Sequence, residues 1–131
     1  MLNSKKTVLG KYGESLALDY LLKLGYKLCC KNYLITNPNS GKKFGEIDLV
    51  MKDNDEYVFV EVRTRHINDT ETPLESIDWK KRRQIEQCAK IYIQKENINN
   101  CYMRFDCLGI TINESNIPEL EHIKNAFICG E

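Results

Sequence analysis

Two runs of alternating residues, at 45–51 and 57–64, restrict the fold of this chain more than any other feature of its sequence. Only the polar segment 52–56 separates them, and strands joined so closely form an antiparallel hairpin. With Asn54 and Asp55 at the tip, directly opposed residues have numbers that sum to 109. Because side chains alternate along a strand, one face of the hairpin is predicted to be apolar and to pack on a core. That face holds Ile47, Leu49, Met51, Val58, Val60 and Val62.

The opposite face of the hairpin carries charged side chains. In the same register Asp48 lies directly across from Glu61, with their Cβ atoms about 5 Å apart. Like charges this close repel each other, and a divalent cation bound between them removes the repulsion. Carboxylate oxygens on two rigid strands suit Mg²⁺ or Mn²⁺. Glu46 faces Arg63 and is predicted to form an ion pair with it. Alternatively, this face is a solvated outer surface, on which charges are common.

The residues before the hairpin predict one helix and one strand. Apolar residues recur at helical spacing over 7–24, and Gly25 follows, as is common just past the end of a helix. Residues 26–33 have a weak strand pattern. The segment 34–44 is rich in turn-forming residues and is predicted to be an exposed, mobile loop.

The residues after the hairpin predict a second long helix and further strands. Ser76 or Asp78 is a suitable N-cap for a helix that reaches about Glu96. Residues 102–112 are predicted to be a strand, and the tail at 118–128 fits either a strand or a helix. The whole chain, 1–131, is therefore predicted to be one mixed α/β domain. The predicted buried face of the second helix holds Ile85, Cys88, Ala89, Tyr92 and Ile93.

Composition limits the classes of function that this chain can have. Acidic and basic residues balance at 19 each, so nucleic-acid binding would require a local basic patch. No segment has the length and hydrophobicity of a signal peptide or a membrane span, and a cytoplasmic protein without a membrane partner is expected. The six cysteines show no Cys-x-x-Cys spacing. We expect reduced thiols in the core rather than disulfides or zinc ligands.

The motifs of the hairpin resemble those of a known family. Gly-Glu-Ile-Asp-Leu-Val from position 45 and Val-Phe-Val-Glu-Val-Arg-Thr-Arg from position 58 resemble the YraN family of endonuclease-like proteins. The resemblance covers nearly the whole chain. It includes motifs at 10–14, 24–26, 79–80, 104–106 and 122–127. The family resembles the PD-(D/E)xK nucleases, among them the Holliday junction resolvases, and this implies the restriction-endonuclease-like αβββαβ core with a single mixed sheet flanked by helices.

The same resemblance implies a role for four residues. Asp48 and Glu61 match the acidic residues of the nuclease motif, and Glu14 matches a helix glutamate that reaches toward the metal in resolvase-like relatives. These three would hold Mg²⁺ or Mn²⁺. Arg63 occupies the last motif position, where lysine is commonest. Arginine stays protonated and grips phosphate oxygens, so it retains electrostatic stabilisation and leaves activation of water to the metal.

Basic residues near the motif are candidates for DNA contacts. The run Lys80, Lys81, Arg82 and Arg83 lies in the first turns of the second helix, where the positive end of the helix dipole would aid phosphate binding. The remaining candidates are Lys42, Lys43 and Arg65. Alternatively, the run is only a solvated helix end.

The remaining aromatic and histidine residues point to structure rather than chemistry. Trp79 is predicted to anchor the second helix against the sheet rather than to stack on a base. Tyr12, Tyr20 and Tyr92 are predicted to be core residues. Neither histidine has a Ser, Cys or His partner at a telling spacing, which argues against nucleophilic or zinc chemistry.

Taken together, these residues predict metal-dependent hydrolysis of DNA phosphodiester bonds, directed to junctions, flaps or broken ends. Two alternatives stay open: a non-catalytic DNA-binding module of the same fold, and a protein-interaction domain with a vestigial nuclease site. Resolvase-like relatives act as dimers, so a homodimer is also open, although no residue strip in the sequence indicates a dimer surface.

Overall fold

The computed structural model describes residues 8–115 and 117–128. The fold is α/β, with one mixed five-stranded sheet and two helices, which confirms the predicted class and is compatible with a restriction-endonuclease-like core. In chain order the elements are α1 (Val8–Lys23), β1 (Lys27–Thr36), β2 (Lys43–Asp53), β3 (Glu56–His66), α2 (Trp79–Lys95), β4 (Tyr102–Ile112) and β5 (Pro118–Phe127). No helix among the described residues is long and apolar enough to cross a membrane.

The sheet keeps the strands in chain order, β1-β2-β3-β4-β5. Every neighbouring pair is antiparallel except β3 and β4, which are parallel and joined through α2. The tail that fitted either a strand or a helix is the strand β5, paired with β4. The loop predicted over 34–44 is shorter than expected, because pairing of β1 with β2 continues as far as Thr36 and Lys43.

Local capping explains where the helices begin and end. Asp78, one of two predicted N-caps, accepts a 2.8 Å hydrogen bond from the backbone nitrogen of Lys81, which satisfies a donor that the first helical turn leaves unpaired. Gly25 follows α1 with a φ of 95°, a left-handed conformation that glycine adopts without steric cost. Asn97 and Asn100, both with positive φ, follow α2.

The two helices cover opposite faces of the sheet, and each has its own core. The α1-side core comprises Ala17, Leu21, Tyr26, Leu49, Met51, Val58, Val60, Leu108 and Ile110. The α2-side core includes Val50, Phe59, Ile85, Cys88, Ala89, Tyr92, Phe105, Cys107 and Phe127. The molecule therefore has three layers, and any site that draws on both helices must lie at an end of the sheet.

Side-chain alternation breaks at one position in both β1 and β2. Asn32 of β1 and Asp48 of β2 do not take part in the pairing of these two strands. Asn32 has a left-handed backbone conformation, with a φ of 52°. As a result Ile47 lies in the α2-side core with Val50, whereas Leu49 lies in the α1-side core. The prediction of one apolar hairpin face is therefore confirmed for Leu49, Met51, Val58, Val60 and the half-buried Val62, and wrong for Ile47.

Two predicted aromatic core residues are exposed. Trp79 is 63% exposed, so its predicted anchoring of α2 is wrong. It lies six residues before Ile85, which at 100° per residue turns it away from the buried stripe of α2. Tyr12 is 45% exposed because it is one position off the buried stripe of α1. Tyr92 is buried, as predicted.

The described cysteines are all free thiols, as predicted. Cys88 and Cys107 are buried, and burial raises their pKa values to about 11 and about 12, so both stay protonated. Cys29 is exposed and Cys101 is half-buried, so these two are not core residues, whereas the half-buried Cys30 packs against the α2-side core. Cys129 lies outside the described residues.

A buried polar network ties the hairpin tip to the far strands. Arg104 donates to Asp53 at 3.1 Å, to Glu56 at 2.7 Å and to the hydroxyl of Tyr26 at 2.6 Å. It also donates at 3.0 Å to Asp106, which is fully buried. Each donor of this guanidinium fork thus meets an oxygen, as a buried charge requires.

Asp106 is the second centre of this network. His122 Nε2 lies 2.7 Å from its Oδ2, and the backbone nitrogen of Asn125 donates to its Oδ1. Burial alone would raise the pKa of Asp106, but the hydrogen bonds from His122 and Arg104 outweigh it and leave that pKa below its ordinary value. The network joins β4 to β5, to Tyr26 just before β1, and to the hairpin.

Gly13 sets how closely α1 approaches the sheet. A Cβ at this position would clash with Thr64 Oγ1 of β3, while Thr64 Cβ and Ile110 Cδ1 would be 3.3 and 3.4 Å away. The absent side chain therefore lets the helix backbone lie against β3.

We expect Gly13→Ala to lower the free energy of unfolding by about 1–2 kcal/mol, because overpacking outweighs the better helix propensity of alanine. Chemical denaturation measures the change. Ser15→Ala, on an exposed position of the same helix, is the control and should have little effect. Gly13→Ala combined with Thr64→Ala should recover most of the loss; a loss that persists in the double variant would mean that the clash is not its cause.

Candidate metal and nucleic-acid site

The candidate site lies where β2 and β3 separate. Their pairing runs from Asp53–Glu56 to Leu49–Val60, which confirms the predicted register over these residues. Beyond that point β2 stays paired only with β1, and β3 only with β4. At the point of separation Asp48 Oδ2 accepts a 2.8 Å hydrogen bond from the backbone nitrogen of Val62. The side-chain carboxylate of Asp48 thus accepts the hydrogen bond that a backbone carbonyl of β2 would accept if the strands stayed paired.

The separation opens a cleft of about 380 Å³ that we call the fork cleft. Both helices reach it with their N-terminal turns: α1 contributes Leu9, Gly10 and Glu14, and α2 contributes Lys81. The strands contribute Lys43, Glu46, Asp48, Glu61, Val62, Arg63 and Thr64. The fork cleft therefore brings together most of the residues singled out in the sequence.

Two buried carboxylates form the wall of the fork cleft. Asp48 and Glu61 are each 5% exposed. Burial and the neighbouring charge of Asp48 raise the pKa of Glu61 from its ordinary 4.5 to about 7, although Lys81 and Arg63 act in the opposite direction. Glu61 Oε1 is buried and has no hydrogen-bond partner. An unmet acceptor in the interior costs free energy unless a ligand satisfies it.

Two cations approach the other oxygen of Glu61. Arg63 Nη2 lies 2.8 Å from Glu61 Oε2, and Lys81 Nζ lies 3.9 Å from the same atom. The predicted Glu46–Arg63 ion pair is wrong, because the strands separate before these residues. Glu46 instead pairs with Lys43 at 3.1 Å. Arg63 Nε is buried without a hydrogen-bond partner, so its guanidinium also has an unmet donor.

Glu14 lines the fork cleft from α1, next to the close approach at Gly13. With its amide nitrogen turned toward them, Asn32 donates to Glu14 at 3.1 Å and to Glu46 at 3.2 Å. No group of three or more His, Cys, Asp or Glu side chains in the described part of the chain is close enough to hold a metal ion.

The predicted DNA-contact residues are not all in one place. Lys81 and Lys43 line the fork cleft. Lys80, Arg83 and Lys42 are exposed. Arg82 points elsewhere: its Nε donates to the carbonyl of Ile77, and its guanidinium lies 5.6 Å from the centre of the Phe127 ring. Arg65 lines a second cleft, on the other side of Arg63 and Thr64.

Sequence reasoning missed two residues of this region. Thr64 lines both clefts, and Asn32 joins two acidic residues of the fork cleft. Thr64 stands in the motif that begins at position 58, but no role was predicted for it. For Asn32 the only signal is an asparagine within a predicted strand, where this residue type is uncommon.

Comparison with known proteins identifies the family of the chain. The model of the uncharacterised protein family UPF0102 matches residues 13–110. The chain belongs to this family. A UPF0102 protein of Clostridioides difficile is 42% identical over 118 residues, which cover 90% of this chain and 95% of the relative. One from Caldicellulosiruptor saccharolyticus is 34% identical over 123 residues, covering 93% and 98%. The YraN resemblance of the motifs is thereby confirmed.

The raised pKa of Glu61 predicts how stability depends on pH. Folding favours the protonated carboxyl, so this contribution to stability is complete below pH 4.5 and is lost as the pH rises through 7. Relative to Glu61→Gln, which does not titrate, the parent should therefore lose on the order of 2 kcal/mol between pH 5 and pH 8. Denaturation in a metal chelator at both pH values measures this. A difference between the two proteins that is independent of pH would show that Glu61 titrates normally.

Proposed function

We propose that this protein hydrolyses phosphodiester bonds of DNA with the help of a divalent metal ion. The observation that carries the proposal is the buried pair of carboxylates in the fork cleft, one of which has an oxygen without a partner. A pair of this kind is costly for folding and gains its stabilisation when a cation binds. The reaction itself, the metal and the DNA are parts of the proposal.

The residues present fit Mg²⁺ or Mn²⁺. Oxygen donors suit these ions, and Mg²⁺ is commonly bound through one or two carboxylates, with water and substrate phosphates completing its coordination. Asp48 and Glu61 would hold the ion, with Glu14 near enough to line the same cleft. When bound, the ion would supply a more acidic water and neutralise charge on the phosphate.

The cations of the fork cleft would bind and orient the phosphate group. Arg63 offers a planar fork of donors suited to phosphate oxygens, and Lys81 offers a compact charge that can approach from α2. Both already lie beside Glu61. Lys81 thus brings an ammonium group to the cleft, whereas the nuclease motif commonly carries its lysine at the position of Arg63.

The overall charge implies that DNA binding depends on a few contacts. The formal net charge is zero, so attraction must come from residues such as Lys43, Lys81 and the exposed Lys80 and Arg83. Each phosphate contact on duplex DNA changes the slope of log K against log salt by about 0.9. Affinity should therefore be modest and should vanish by moderate salt, with a salt slope that reflects only a few contacts.

One observation favours a second candidate, a DNA-binding module of the same fold without catalysis. Arg63 lies 2.8 Å from Glu61, so an internal cation already offsets part of the charge that a metal would neutralise. In that case the phosphate would be held by the cations alone. The third candidate, a protein-interaction domain with a vestigial site, would bind no DNA at all.

We expect the purified protein to cleave DNA in Mn²⁺ or Mg²⁺ and not in a chelator. Linear, flapped and four-way DNA should be compared on gels. Asp48→Asn and Glu61→Gln should each reduce cleavage at least a hundredfold while staying folded, because each removes an anionic ligand. The metal should also raise the thermal midpoint of the parent and not of these variants.

The outcomes separate the three candidates. DNA binding in low salt without cleavage in either metal would establish the non-catalytic module. Absence of DNA binding in low salt with metal present would overturn both nucleic-acid functions and leave the interaction domain. Cleavage that is equal in the parent and in Asp48→Asn would point to a contaminating nuclease.

The roles of the two cations predict a second pattern. Lys81→Ala and Arg63→Ala should each weaken DNA binding or turnover about tenfold, because each removes a charge from the phosphate site. Arg63→Lys should preserve activity or increase it. Lys90→Ala, an exposed residue later on α2, is the control and should behave as the parent. If Arg63→Ala matches the parent in both measurements, Arg63 serves only to neutralise Glu61.

A further inference from the structure

A second cleft of about 370 Å³ adjoins the fork cleft, and we call it the loop cleft. Arg63 and Thr64 line both clefts, so the two meet across the last part of β3. The other side of the loop cleft is the segment that joins β3 to α2. Its remaining lining residues are Arg65, Asp69, Thr70, Glu71, Thr72, Pro73 and Ser76.

The loop cleft is preformed, because its loop is anchored to the body of the protein. Pro73 packs against β4 at Gly109, where any added Cβ would clash with the proline ring. Ile77, near the end of the loop, is buried in the α2-side core. Thr72 and Glu75 exchange hydrogen bonds of 2.9 and 3.2 Å between their side chains and backbone nitrogens. A ligand would therefore meet a surface that needs little ordering.

Two guanidinium groups face this region, and the protein orients both. Arg65 Nε donates to Thr111 Oγ1 and its Nη1 donates to the carbonyl of Glu71, both at 3.1 Å. These bonds fix the plane of the Arg65 guanidinium. Arg63, at the junction of the clefts, has a buried Nε that lacks an acceptor.

Two acidic residues, Asp69 and Glu71, also line the loop cleft, and their carboxylates oppose part of the positive charge of the two guanidinium groups. Asp69 Oδ2 accepts a 3.0 Å hydrogen bond from the backbone nitrogen of His66, so that carboxylate is engaged in shaping the turn. Glu71 contributes its backbone carbonyl to Arg65. Hydroxyl groups of Thr64, Thr70, Thr72 and Ser76 also belong to the lining. Guanidinium and hydroxyl groups together are typical contacts of a sugar–phosphate backbone.

We propose that the loop cleft binds the backbone phosphate of the nucleotide next to the scissile one, on the same DNA strand. The strand would pass over Arg63 and Thr64 from the fork cleft into the loop cleft. The substrate would then have to extend at least one nucleotide beyond the bond at the carboxylates, on one side. This inference rests on the function proposed above, and it adds the path of the DNA strand across the protein surface.

Thr70 allows the proposal to be tested without touching the anchors of the loop. It is an exposed residue of the lining. Thr70→Asp should weaken binding of oligothymidylates of six or eight nucleotides roughly two- to fivefold, and Thr70→Lys should strengthen it by a similar factor, because the charge lies beside the second phosphate. Binding of a dinucleotide, which has no second internal phosphate, should not change. Fluorescence anisotropy in low salt, with Ca²⁺ in place of Mg²⁺, measures these affinities.

Two controls keep the comparison matched. Asn99→Asp adds the same charge near the opposite end of the sheet, before β4, and should bind all lengths as the parent does. Arg65→Gln should reduce the affinity for the longer oligonucleotides in the same way as Thr70→Asp. Thermal midpoints equal to that of the parent would show that the loop remains folded in each variant.

The result separates a failure of this inference from a failure of the proposed function. If the parent binds the oligonucleotides but both Thr70 variants match it at every length, the loop cleft is not on the path of the strand and only this inference falls. Equal weakening at all lengths, including the dinucleotide, also overturns it, since the effect would not depend on a second phosphate. If the parent binds no oligonucleotide, the proposed function and this inference fall together.

Discussion

The end of pairing between β2 and β3 is the constraint on which the candidate site depends. Past Leu49 and Val60 the two strands continue in the same sheet, each held by its outer neighbour, while the gap between them admits side chains of both helices. Backbone donors at such a gap must still be satisfied. The carboxylate of Asp48 does this for Val62, and in doing so it is fixed beside Glu61. The position of one acidic group is thus a consequence of hydrogen bonding in the sheet.

The two groups of buried charges differ in how completely their hydrogen-bonding atoms are paired. Around Arg104 and Asp106 each charged group meets partners of opposite charge or polar donors, so the network is complete without a ligand. In the fork cleft, by contrast, Glu61 Oε1 and Arg63 Nε are buried without partners. Unmet groups of this kind cost stability in the free protein. The proposed metal and phosphate site rests on these two atoms.

The position of the helices follows from close approach as much as from hydrophobic packing. Gly13 brings the backbone of α1 against β3, which places Glu14 at the fork, and Gly109 allows the loop before α2 to pack over β4. The N-cap at Asp78 then fixes the start of α2 and so directs Lys81 into the fork cleft. Two glycines, which allow close packing, and one helix cap therefore complete the candidate site. Its buried acidic residues come from the strands.

By itself the sequence determined the hairpin, its register and the family, because alternation, turn residues and motif spacing are local properties of the chain. The same register predicted Asp48 directly across from Glu61, but strand pairing ends one pair earlier, at Leu49 and Val60, and both carboxylates line the fork cleft instead. Only the tertiary structure decided that Ile47 lies in the α2-side core and that Arg63 pairs with Glu61 rather than Glu46. It also decided the network around Arg104 and the loop cleft. These features depend on where strands part and on residues far apart in the chain, and no local pattern encodes either.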